Sequence, residues 1–113
     1  MTTVRIEALP EQLQSRVLAA TAHASHRRIR HLESDSGTEA AYAVEAVAGD
    51  RVTLMRLLLR PDESVDESTH SFTTREIVGV DRDASELTVR GPEGTRSVKV
   101  APETAEAVRA IQD

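Results

Sequence analysis

The amino-acid sequence predicts an α+β fold: an antiparallel β-sheet, or a small partly open barrel, of about five or six strands, with a helix near each end of the chain packed on it. Three observations carry this expectation. Apolar residues recur at helical spacing within 10–25 and within 102–112. Strict alternation marks 86–90 and 96–100, where Leu87 and Val89 alternate with Thr88 and Arg90, and Val98 and Val100 with Ser97 and Lys99. Clusters of Gly, Pro, Asp and Ser separate these segments.

VRIEAL (4–9) alternates apolar and charged residues and reads as a short first strand. Pro10 then suits the first turn of a helix, where its missing N–H costs nothing, and Glu11 suits the positive end of the helix dipole. Leu13, Val17, Ala20 and Ala24 form one stripe; its next positions, Arg27 and His31, are polar, so the amphipathic pattern stops near Ala24. RRIRHLES reads as a strand, with Arg27, Ile29 and His31 on one side and Arg28, Arg30 and Leu32 on the other; a continued helix is the alternative. ESDSGT (33–38) is a turn cluster.

The stretch 40–60 has the Ala and Leu content of a helix, but Gly49-Asp50 at its centre, flanked by Val47, Val52 and Thr53, favours a hairpin. Its second half, VTLMRLLL, is apolar on both faces apart from Thr53 and Arg56, as in a central strand covered on both sides or a strand facing a partner. PDESVDES (61–68) reads as an acidic loop. Strands follow at 70–80, 86–90 and 96–100, with turns at 81–85 and 91–94. APETAEAVRAIQ closes as a helix opened by Pro102, with Ala105, Val108 and Ile111 facing inward.

A chain of 113 residues is expected to form a single domain, 1–113, with an aliphatic core supplied by twelve Val, nine Leu and four Ile. The absence of Cys excludes disulfides and thiolate metal sites. LMRLLL at 54–59 falls far short of the ~20 residues of a membrane helix, and no leader is visible, so a soluble, cytoplasmic protein without membrane contact is expected. The net charge is −5, unevenly placed: residues 1–31 carry five arginines against two glutamates, the remainder nine basic against seventeen acidic groups. An acidic body opposes general nucleic-acid affinity. With Tyr42 and Phe72 as the only aromatics, platforms for base stacking are also missing.

HASHRRIRH (23–31) concentrates three of the four histidines with three arginines. His23 and His26 are spaced to share a metal on a helix, but the neighbouring arginines oppose a dication, and no metal or cofactor is expected. Anion binding is the better functional reading, with His23, His26, Arg27, Arg28, Arg30 and His31 as candidates; on a continued helix His23, His26 and Arg30 would share one side. The plain alternative is a basic helix terminus that needs no ligand. Catalysis finds no G-x-S-x-G or H-E-x-x-H motif. His70 has no nucleophile to activate, and Asp62, Glu63, Asp66 and Glu67 lack the ligand alternation of a calcium loop, so no catalytic residue is assigned. Leu54, Met55, Leu57, Leu58 and Leu59 offer more apolar surface than one side of a small sheet buries and are the interface candidates. The leading expectation is therefore a non-enzymatic accessory or regulatory domain that works by protein–protein contact, as a homodimer. Binding of a nucleic acid or phosphate ligand through 23–31 is the second reading, and a small enzyme with a pocket between helix and sheet the third.

Overall fold

The computed structural model describes residues 2–32 and 39–112. The fold is α+β, with two helices and, among the described residues, eight antiparallel strands in two sheets, neither closed into a barrel. The first sheet holds five strands side by side in chain order: β1 (Thr2–Val4), β2 (His26–Leu32), β3 (Ala40–Ala48), β4 (Arg51–Leu59) and β5 (Val65–Thr73). Helix α1 (Glu11–Ala20) lies between β1 and β2 in the chain. The second sheet is a three-stranded meander of β6 (Ile77–Asp81), β7 (Glu86–Gly91) and β8 (Gly94–Lys99), and α2 (Pro102–Gln112) follows it. No helix among the described residues is long and apolar enough to cross a membrane.

Helix α1 begins after Pro10, whose carbonyl accepts the N–H groups of Leu13 and Gln14. It ends earlier than the expected 25. At Thr21 the hydroxyl and the N–H both bond to Val17 O, at 2.6 and 2.9 Å, and His23 takes a left-handed φ of 64° that turns the chain into β2. Ser25 N then bonds to Val47 O, and the ladder begins one residue later, at His26. Competition between helix and strand in the basic segment is thus resolved by a local stop signal.

The hairpin at 40–60 forms with full pairing from Ala40↔Leu59 to Ala48↔Arg51, and Gly49 supplies the left-handed φ of +60° that its turn requires. Three expectations shift. The first strand is only Thr2–Val4, followed by a 3-10 turn at Ile6–Ala8. The acidic loop shrinks to the turn after β4, because β5 starts at Val65; as an edge strand it is held by backbone bonds to β4 and needs no apolar face to form. The run 70–80 breaks at residues 74–76 into the end of β5 and the start of β6. The turn expected at 33–38 lies outside the described residues.

Two cores sit on opposite faces of the five-stranded sheet. On one face Ile29, Tyr42, Val44, Met55 and Leu57 pack beneath Leu9, Leu13 and Val17 of α1 and the turn before it. On the other, the row Val47, Val52 and Phe72 meets Ile77, Leu87 and Val89 of the second sheet and Val100, Ala105 and Val108 of the α2 segment. The second layer covers only the end of that face nearest the β3–β4 turn.

Candidate functional site

The strand conformation of 26–32 divides the basic segment between the two faces. Arg27, Ile29 and His31 face α1; His26, Arg28, Arg30 and Leu32 face α2. His23 stays in the turn, exposed, so the shared side that a continued helix would give His23, His26 and Arg30 does not arise. Arg27 donates to Thr21 Oγ1 (3.0 Å), and the His31 ring meets Tyr42, directly opposite in the ladder, edge-on at 5.1 Å. Burial holds the Tyr42 phenol above its usual titration range.

The α2-facing members form a fastening. Arg28 Nη1 bonds to Glu103 at 2.9 Å, and His26 Nε2 lies 3.0 Å from Thr104 Oγ1. Arg30 Nη2 reaches Glu45 Oε2 at 3.3 Å. Glu45, in the middle of β3 and 4% exposed, is the hub: its Oε1 accepts the N–H of Ala101 (2.9 Å) and the hydroxyl of Thr104 (2.6 Å). Ala101 immediately precedes α2 and has no side chain able to cap it, so the carboxylate from β3 stands at the positive end of that helix instead. Sequence reasoning missed Glu45; a lone acid among Ala and Val is its only trace in the chain.

A recess of about 390 Å³ lies beside the fastening, lined among others by Arg5, Glu7, His26, Arg27, Arg28 and Glu103. Its basic groups already have acceptors within the chain, except the Arg5 guanidinium, for which no bond or ion pair is formed among the described residues. No three His, Asp or Glu residues among the described ones come together as a metal-ligand set.

The apolar candidates divide between both layers. Met55 and Leu57 are buried beneath α1, with Leu59 partly buried beside them, and Leu54 packs against the second layer. Leu58 instead joins Leu32 and Ala41 on the part of the α2-facing face that the second layer does not reach, where they line a recess of about 240 Å³ with Arg56 and Asp66. Beyond β4 stands β5, the outer strand of the sheet, exposed from Asp66 to Ser71. Its carboxylates are engaged laterally, Glu67 with Arg16 of α1 (3.2 Å) and Asp66 with Arg60. Neither a protein-family model, a curated protein nor a solved structure matches the chain.

Proposed function

We propose that the protein is a non-catalytic interaction domain that pairs with a second copy of itself through the outer edge of β5. One observation carries the reading: a nine-residue edge strand without Pro or bulge, against which no described segment pairs. Natural edges are usually shortened, kinked, charged or covered; among the described residues this one is neither shortened, kinked nor covered, and its acids Asp66 and Glu67 are paired within the chain.

The geometry also favours one register. Thr74 N bonds inward to Asp50 O, whereas Thr73 N turns away from β4 to Glu76 Oε1 at 3.0 Å. By the alternation of an antiparallel strand, Glu67, Thr69 and Ser71 also direct their N–H and C=O groups outward. A two-fold axis at Thr69 pairs Glu67 with Ser71 of the second copy and Thr69 with its own equivalent, giving about six backbone hydrogen bonds. An axis at Glu67 would instead set two carboxylates face to face. An axis at Ser71 would pair Glu67 beyond the end of β5, and would need the outward N–H of Thr73 that Glu76 already holds. With the axis at Thr69, Asp66 of one copy falls opposite Phe72 of the other, whose ring lies 5.6 Å from the Arg96 guanidinium. Opposite charges therefore approach across the edge.

Sedimentation equilibrium tests this reading. The expected result is a species of twice the 12.3 kDa chain mass, converted to monomer by Thr69→Pro, which removes an outward N–H that the fold does not use, and by Thr69→Lys, which places two like charges on the axis. Circular dichroism checks that both variants fold. A wild-type monomer at high concentration, or a dimer that survives both substitutions, overturns it.

A further inference from the structure

The tip of the second layer points past the edge of the first. Ala101, just after β8, stands over β3, where its N–H meets Glu45. Arg96 of β8 stands over β5, its guanidinium 5.6 Å from the Phe72 ring. β8 therefore heads from β3 toward β5, and the turn Pro92-Glu93, between Gly91 and Gly94, lies further along that line. A recess of about 540 Å³, lined among others by Ser71, Phe72, Pro92, Glu93 and Arg96, lies between this turn and the end of β5. We infer that the β7–β8 turn is a second contact between two copies of the chain, seated at Leu58 of the other copy. The inference rests on pairing through β5 with the axis at Thr69.

Reach and register agree. From Ala101 back to Arg96 the chain crosses two strand spacings, roughly 10 Å. Three more residues on the same heading bring Glu93 roughly 6–10 Å beyond β5, which is one to two further spacings. In the paired sheet β5 and β4 of the second copy occupy those spacings. The row is fixed as well. Val52 and Phe72 are cross-strand partners, as are Leu58 and Asp66, and the axis at Thr69 sets Phe72 of one copy opposite Asp66 of the other. That axis stands perpendicular to the sheet, so both copies show their α2-facing sides in the same direction. The layer that lies on Val52 and Phe72 of one copy therefore abuts Asp66 and Leu58 of the other.

The two surfaces are chemically complementary. Pro92 brings an apolar ring and no N–H to desolvate, and Leu58 is a half-buried apolar side chain that the second layer of its own chain does not reach. Arg56 and Asp66 stand around Leu58; Glu93 and Arg96 stand beside Pro92. Within the hairpin β8 is the strand nearer the middle of the sheet, since Val98 and Lys99 border Arg56 and His70. Glu93, at its start, falls toward Arg56 of the other copy, one row in from Leu58, and Arg96 toward Asp66. Among the described residues Glu93, Arg56 and Arg96 form no ion pair within the chain. Asp66 keeps Arg60, and a carboxylate has acceptor sites for both guanidinium groups. Two-fold symmetry makes each contact twice and enlarges an interface that one strand edge alone would leave small.

The chain has no Cys, so an introduced pair reports one contact. A chain carrying both Leu58→Cys and Pro92→Cys is treated with a short bismaleimide and read on a denaturing gel. The expected product is a covalent dimer, absent from either single variant and from the double variant with Thr69→Pro added. Sedimentation equilibrium supplies the charge test. Glu93→Arg and Arg56→Glu should each weaken the dimer about tenfold, because two exposed pairs are reversed at once, and the two together should restore it. Circular dichroism checks that every variant folds. If Thr69→Pro gives monomers but no crosslink forms, or the charge reversals leave Kd unchanged or fail to compensate, the turn contact is overturned and pairing through β5 stands. A wild-type monomer overturns both.

Discussion

Replacing Glu45 tests how the second layer is attached to the first. Glu45→Ala removes the acceptor of Ala101 N–H and Thr104 Oγ1, and the counter-charge of Arg30, in a place where Glu45 is 4% exposed. Breaking one side of a buried ion pair costs about 3–5 kcal/mol. The Arg30 side chain is 23% exposed, so water takes up part of its lost partnership and the lower end applies. The expected loss is therefore about 3 kcal/mol, equivalent to a Tm lower by about 12 °C for a chain of this size. Glu45→Gln keeps shape and one acceptor, and should cost about half as much. Urea unfolding followed by far-UV circular dichroism measures both. A cycle with Thr104→Val should show a coupling of about 1 kcal/mol, because the two side chains share a 2.6 Å bond. A loss below about 1 kcal/mol for Glu45→Ala, or strict additivity with Thr104→Val, would refute the role of the carboxylate as the fastening of α2.

Leu13→Ala empties a fully buried position between α1 and the sheet and should cost about 2–5 kcal/mol in the same unfolding assay. Arg16→Ala breaks an ion pair whose side chains are 47% and 36% exposed, and should change stability by less than about 0.5 kcal/mol. Gly49→Val forces a β-branched residue into a left-handed φ of +60° with open space around it, so its cost of about 1–2 kcal/mol is backbone strain and should appear without any repacking of the core. Bonds from the N–H and hydroxyl of Thr73 hold the Glu76 carboxyl below the usual glutamate range. The turn after β5 is therefore stabilised above that range and loses the contribution as pH falls through it. The protection factor of the Thr73 amide, taken against its intrinsic exchange rate at each pH, should fall on acidification in the wild type and stay constant in Glu76→Gln.

Elements whose identity depends on neighbours in sequence were legible from the chain. The Gly49-Asp50 turn, the alternating pair 86–90 and 96–100, and the stripe of α2 each carry their own local signal, and each forms where that signal lies. β5 was not legible over its first half, since DEST has no apolar alternation; an exposed edge strand is held by its neighbour's backbone, which leaves little mark on composition. The conspicuous run HASHRRIRH is divided for a related reason. Density along the chain is not density in space: period-two geometry sends Arg27 and His31 to one face and His26, Arg28 and Arg30 to the other, where His26 and Arg28 fasten a helix more than seventy residues away.

By itself the sequence determined the α+β class, the aliphatic core and the positions of most turns, because helical and strand periodicity and turn chemistry act over a few residues. Only the tertiary structure decided which charges meet. Arg30, Arg56 and His70 are spread over forty positions with no shared motif, and they line one recess because ladder register places side chains from three strands of one sheet side by side. The same register makes Glu45 the acceptor for α2 and sets β5 last in the strand order, and no pattern local to either segment could have announced it.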